Sequence, residues 1–243
     1  MKSNAIIGIL AIVVLMYTGC APTEVPDLPE QAPPVYETAE EEPKADGLQD
    51  DIAAGYLILV NKSNGLDSNY KPDDLTDILY YAADRGAEGR FMRATAADAF
   101  HSLVEEAKGQ GVEIVMTTAY RSYGFQSTLY NNYVSRDGQA AADRYSARPG
   151  FSEHQTGLAV DVSAASVGYK LTREFADTTE GKWLAENAHL YGFIIRYPQG
   201  REEQTGYLYE PWHLRYIGST AANYIYENEI ILEEYLEIIG LED

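Results

Sequence analysis

Only one cysteine, Cys20, occurs in the 243 residues. No intrachain disulfide can form, and no cysteine-rich zinc site is available. Positive charge is also scarce. Lys and Arg number 18 against 38 Asp and Glu, a formal net charge of −20. Nucleic acid and anionic lipid headgroups would be repelled, so neither is expected as a partner. The longest apolar run, Ala5 to Tyr17, is shorter than the roughly 20 residues that a membrane-spanning helix needs. There is no Gly-rich phosphate loop and no G-x-S-x-G nucleophile elbow. Any metal site must therefore use His, Asp or Glu. An apolar share of 45% is enough for an ordinary core and excludes wholesale disorder.

The charge is unevenly placed and divides the chain into three. Residues 1–20 combine a basic start, Met1-Lys2, with the run AIIGILAIVVLMY, which fits a signal peptide. The run ends at Thr18-Gly19-Cys20. This resembles a bacterial lipoprotein signal, in which a cysteine after a small residue is lipidated and becomes the mature N-terminus. Gly19 fits that pattern, whereas Tyr17 departs from it, since Leu is usual three residues before the cysteine. Several acyl chains on Cys20 would hold the protein firmly to a membrane. Residues 21–50 hold six of the ten prolines and nine acids against Lys44, a net −8. Such a stretch cannot bury enough surface to order itself and is expected to be a disordered tether. Residues 51–243 carry 29 acids and 16 bases, a net −13, and are expected to form one monomeric domain.

Within that domain, Tyr56–Val60 predicts a strand and Asn61–Gly65 a turn. Ala96, Ala99, Phe100, Leu103, Val104 and Ala107 fall at helical spacing over Thr95–Lys108, with Thr95 and Asp98 as a capping pattern. Strands are expected at Val112–Ala119, Leu158–Val162, Phe193–Tyr197 and Tyr207–Tyr216. Helices are expected at Gln126–Val134, Gly138–Tyr145, Gly181–Ala188, Ser219–Tyr226 and Ile230–Ile239. The interleaving has no regular βαβ rhythm, which predicts an α+β fold.

Two stretches concentrate histidines and carboxylates: Ser152-Glu153-His154-Gln155-Thr156-Gly157-Leu158-Ala159-Val160-Asp161 and Glu210-Pro211-Trp212-His213. They offer two imidazoles and one or more carboxylates, a donor set suited to zinc. His154 and Asp161 are an odd number of residues apart and would face opposite sides of a flat strand. Both reach one ion only if the chain bends between them, and Gly157 is the pivot available. Asp161 lies in the apolar run LAVDV, where a carboxylate is costly unless paired or metal-bound. Pro211 disfavours a helix interior between Glu210 and His213 and calls for a bulge or an irregular strand.

The ordered set S-x-H-x-x-G-x-A-x-D and E-x-W-H is similar to the signature of the VanY-type zinc D-Ala-D-Ala carboxypeptidases, whose relatives also trim L,D-bonds. The likeness extends to Tyr120-Arg121-Ser122 with Gln126, to Ser146–Ser152 and to Arg215-Tyr-Ile-Gly218, covering roughly residues 56–220. The resemblance implies a small central antiparallel sheet flanked by helices, of the hedgehog and D,D-peptidase kind. It implies His154, Asp161 and His213 as ligands of one zinc ion, Glu210 as the catalytic carboxylate and Arg121 as a cationic stabiliser. It matches Ser152 and Gln126 to positions lining the substrate groove. The implied substrate is a peptidoglycan stem peptide that loses a C-terminal D-alanine, at the outer face of a bacterial membrane. The alternatives are an L,D-carboxypeptidase, a non-catalytic peptidoglycan-binding module and an endopeptidase that cuts crosslinks.

Other polar residues read as structural. His101 lies beside the apolar stripe of its helix, and His189 ends a helix, where a cation favours the dipole. Glu153, next to His154 in an extended chain, is expected at the surface. Trp212 is expected as a packing wall. Arg148 is a candidate for a substrate carboxylate, with a structural role equally open.

Overall fold

The computed structural model describes residues 47–83 and 89–241. The signal segment, Cys20 and residues 21–46 of the expected tether lie outside these residues. In chain order the elements are α1 (Leu48–Ala53), β1 (Leu75–Asp77), β2 (Phe91–Arg93), α2 (Ala94–Gly109), β3 (Val115–Thr118), α3 (Tyr123–Asp137) and α4 (Gln139–Ala142). Then follow β4 (Ala159–Ser163), α5 (Thr179–Asn187), β5 (Phe193–Ile195), α6 (Glu202–Thr205), β6 (His213–Tyr216), α7 (Ser219–Glu227) and α8 (Leu232–Ile238). Helix α1 starts three residues before the boundary expected at residue 51, and Leu48 on it is buried.

The fold is α+β, as expected. Four strands form an antiparallel sheet in the order β3-β4-β6-β5, and β1 pairs with β2 in a separate ribbon. Strand β4 is buried at all five positions because it sits inside the sheet and is covered on both faces. One face carries Val160, Val162, Leu214 and Tyr216. With Met116 and Phe193 they join the main core, where Phe100, Leu103 and Val104 of α2 also pack. A second core brings Leu48 of α1 together with Ile194, Ile217, Ala222, Ile225, Leu232 and Tyr235 around α7 and α8.

Several expectations change. Tyr56–Val60 is not a strand, although Leu57 and Val60 are buried. The carbonyls of Tyr56 and Ile58 accept from the Arg215 guanidinium at 3.0 and 2.7 Å, which replaces a strand partner. Strand pairing covers only the last four residues of Tyr207–Tyr216. The part before it closes a turn in which the His213 amide donates to the Glu210 carbonyl at 3.1 Å. Helix α2 begins at Ala94, so Thr95 is already inside it and no side chain caps it; the Ala94 amide donates instead to the Asp74 carbonyl at 2.9 Å. Strands β1 and β2 were not expected. At three residues each they are too short for a period to show. Hydroxyl caps form at Ser122 on α3 and Thr178 on α5, which accept from the Phe125 and Gly181 amides.

The bend expected at Gly157 is present. A short 3-10 turn, Glu153–Thr156, ends there with φ +70° before β4 begins. A Cβ at Gly157 would lie 2.9 Å from Leu75 Cδ2 and 3.1 Å from Arg93 Cγ. The pivot therefore needs both a left-handed backbone and empty space. Gly157→Ala should lower unfolding free energy by about 1–3 kcal/mol in urea denaturation. Gly111→Ala, with φ +79° and nothing within 4 Å, should lose less, about 1 kcal/mol.

Candidate metal centre and active site

In an antiparallel pair, residues directly opposite share a face. Asp161 on β4 lies opposite His213 on β6, and Ala159 lies opposite Arg215. This register puts Asp161, His213 and Arg215 on the face away from the main core. The turn ending at Gly157 brings His154 to the same place. The two histidine rings meet edge to face with centroids 5.0 Å apart.

All three expected ligands converge. Asp161 Oδ1 lies 2.9 Å from His213 Nδ1, and Asp161 Oδ2 lies 3.3 Å from His154 Nε2. One donor atom from each of the three residues lies within 4.8 Å of the others, and all three side chains are buried. His154 Nδ1 is 2.6 Å from the Ala119 carbonyl, so that nitrogen carries the proton and Nε2 keeps its lone pair. Nε2 has no hydrogen-bond partner although it is buried. A buried, unpartnered acceptor beside a carboxylate and a second imidazole is what a tetrahedral zinc site with an open position requires. The donor set fits that ion.

The electrostatics follow from burial and close charges. Burial, with Arg121 nearby, lowers His154 to about 4. Burial would also lower His213, but its hydrogen bonds to Asp161 and Glu153 outweigh this and raise it to about 9. For Asp161 burial acts upwards, yet the two imidazoles hold it well below the usual carboxylate range. Burial raises Glu210 to about 7, with His213 and Arg121 pulling down and Asp161 and Glu153 pushing up. Glu210 Oε2 stands 3.9 Å from His213 Nδ1, outside hydrogen-bond range. Its amide donates to the Tyr197 carbonyl at 3.0 Å, which fixes the turn that carries it.

A cavity of about 340 Å³ opens over this centre, and its lining includes Arg121, Ser152, Glu210, Trp212 and the three metal candidates. The Arg121 amide donates to the His154 carbonyl at 3.1 Å. Its Nη1 donates to Gln126 Oε1 at 3.0 Å, while Nε is buried without a partner. Among the described residues no carboxylate comes within ion-pair distance of Arg121. Ser152 lines the cavity. Gln126 does not. It is buried and accepts from Arg121, with its own amide donating to the Ala147 carbonyl at 2.7 Å. Arg148 pairs with Asp143 at 2.8 Å and is not part of the lining, so its structural reading holds. His101 accepts from the Leu79 amide, and His189 stacks on Tyr226.

Glu153 is the clear correction. It was expected at the surface and is instead 1% exposed. A 3-10 turn does not alternate its side chains as an extended chain does. Its Oε1 accepts from Arg196 Nε at 2.8 Å and Arg215 Nη1 at 2.7 Å, and its Oε2 lies 3.2 Å from His213 Nε2. Burial would raise its pKa, but the two arginines hold it well below the usual range. A signal for this group did exist: Arg196 directly follows the apolar strand β5 in FIIRY, and Arg215 sits inside β6, as Asp161 does in β4.

Residues 89–219 match the VanY family, described as D-alanyl-D-alanine carboxypeptidase. YodJ of Bacillus subtilis (strain 168), assigned by name to the carboxypeptidases, is 44% identical over 196 residues, covering 80% of this chain and 72% of its own length. Among solved structures, the LD-carboxypeptidase LdcB is 45% identical with a TM-score of 0.72, covering 75% of this chain and 86% of its own. A vancomycin-resistance D,D-pentapeptidase, a VanY variant solved with Zn(II), is 33% identical with a TM-score of 0.63, covering 74% and 98%. The matched region contains His154, Asp161, Glu210 and His213, and the chain belongs to the VanY family of D-alanyl-D-alanine carboxypeptidases.

Proposed function

We propose that the chain is a zinc-dependent carboxypeptidase that releases C-terminal D-alanine from peptidoglycan stem peptides or precursors. The observation that carries this reading is the convergence of His154 Nε2, Asp161 and His213 Nδ1 beneath a cavity that also holds Glu210 and Arg121. His154, Asp161 and His213 would hold one zinc ion, which when bound polarises a carbonyl and acidifies a water. Glu210 takes the proton from the attacking water and returns it to the leaving amine; a carboxylate raised by burial towards 7 is suited to both transfers. Arg121, with no carboxylate of the described residues in ion-pair range, supplies positive charge for the oxyanion or for the terminal carboxylate of the peptide. Gln126 keeps that guanidinium aimed. Ser152 offers a hydroxyl at the wall of the groove. The intact Glu210 and Arg121 argue against a purely binding module.

Two substrates would release D-alanine. A pentapeptide stem, cut at a D,D-bond, is the sequence expectation. The greater likeness to LdcB than to the VanY pentapeptidase favours a tetrapeptide stem cut at an L,D-bond. Both readings use the same ligands and the same carboxylate and differ in the pocket.

We further propose that the enzyme is held at the outer face of the cell membrane through lipidated Cys20. The acidic, proline-rich tether would let the domain stand off by up to roughly 90 Å at about 3.1 Å per residue.

EDTA should abolish D-alanine release and zinc should restore it. Glu210→Ala should keep zinc and lose about 10²–10⁴-fold in rate; full activity would refute the assigned role. Mass spectrometry of products from a penta- and a tetrapeptide decides between the two bonds, and solubilised sacculi without free D-alanine would point to an endopeptidase. Cells fed a palmitate analogue should label the wild-type chain and not Cys20→Ala; an unlabelled wild type would sink the anchor.

A further inference from the structure

Glu153 has no part in the proton transfers above, yet it is the most completely enclosed carboxylate near the site. Its side chain is 0% exposed, as are those of Arg196 and Arg215. The acceptor sites of its two oxygens are divided. Oε1 takes both guanidiniums, at 2.8 and 2.7 Å. Among the described residues the hydrogen-bond partner of Oε2 is His213 Nε2, at 3.2 Å. An ionised carboxylate only accepts, so Nε2 of His213 must be the donor and carry a proton. Nδ1, 2.9 Å from Asp161 Oδ1, also faces a carboxylate, but it is the nitrogen on the side of His154 and the centre, so a zinc ion there would take the place of the Nδ1 proton and leave the Nε2 proton on Glu153. His154 is set the opposite way, with Nδ1 on the Ala119 carbonyl and Nε2 towards the centre.

The arrangement continues outward. Arg196 presents Nη1 and Nη2 to the two oxygens of Glu233 on α8, at 2.8 and 2.6 Å. Arg196 is thereby gripped from both sides and cannot swing away from Glu153. Arg215 is gripped in the same manner by the Tyr56 and Ile58 carbonyls. Helix α8 is anchored by Leu232, Tyr235 and Leu236 in the second core. A continuous line of charge-assisted hydrogen bonds thus runs from α8 through Glu233, Arg196 and Glu153 to a metal-facing imidazole.

We propose that Glu153 is a positioning residue that fixes the tautomer and ring orientation of His213 as a ligand through Nδ1, and that Glu233 of the C-terminal helix supports it through Arg196. The inference rests on the zinc reading above. Partners of this kind typically change metal affinity by about 10–100-fold when removed.

Glu153→Gln tests the tautomer directly. The glutamine has a single carbonyl oxygen, which the two guanidiniums claim. Its NH₂ group then faces Nε2–H, donor against donor. The expected result is a folded protein whose zinc Kd, measured by competition with a chromogenic chelator, rises about 10–100-fold. Glu233→Gln should shift Kd in the same direction by a smaller factor. Long-range ¹H–¹⁵N spectra of the zinc-loaded wild type should show His213 protonated at Nε2, a feature that a purely structural Glu153 would not require. Zinc bound through Nε2 of His213 in that spectrum overturns the proposal, even if Glu153→Gln does not fold. So does unchanged affinity in folded variants at both positions. A wild type that binds no zinc would instead overturn the metal reading itself.

Discussion

Two buried guanidiniums share one carboxylate oxygen at the centre of this fold. Removing an ion from water costs several kcal/mol even after relaxation, so Arg196, Arg215 and Glu153 are tolerable together and not singly. Their hydrogen bonds explain the placement of otherwise unrelated parts. Arg215 holds the extended segment around Tyr56 and Ile58, which has no strand to pair with. Arg196 holds α8. Glu153 reaches the histidine that closes the candidate metal centre. The buried charges are satisfied by one another, by the Tyr56 and Ile58 carbonyls and by Glu233, and the sheet carries polar groups on one side and a dry core on the other.

That division of the sheet is the second organising fact. Strand periodicity sends Val160, Val162, Leu214 and Tyr216 to one face. The same periodicity sends Asp161, His213 and Arg215 to the other, and the register pairs Asp161 with His213. The chemistry is thus built on strands whose opposite face is locked by α2 packing. Glu210 and His154 come from turns at the sheet margin. Each turn is pinned by backbone hydrogen bonds, from Glu210 to Tyr197 and from Arg121 to His154.

Much of the site was legible from local spacing. The odd separation of His154 and Asp161 required a bend, Gly157 was the residue able to make it, and the left-handed turn stands there. Helix α2 was legible because its apolar stripe runs over four turns. What escaped depends on long-range contacts. Tyr56–Val60 has a strand's composition, but no property of five residues reveals that an arginine far along the chain takes its carbonyls. Glu153 was misread because a local extended chain was assumed where a 3-10 turn forms. The pairing of Arg196 and Arg215 with it could be suspected from two charges in or directly beside apolar strands, but the partner could not be named. Gln126 matched a groove position by motif, and only the fold shows it one step back, on Arg121.

The line from α8 to His213 also bears on the order in which the protein becomes competent. All three metal candidates have been synthesised once residue 213 exists, but Glu233 follows later in the chain. On the positioning role inferred for Glu153, a nascent chain holding every ligand still lacks the clamp that aims the last of them. Domains generally fold as units. Helix α8 would thus tie metal affinity to the completeness of the second core, since the same helix supplies Glu233 and the packing of Leu232, Tyr235 and Leu236.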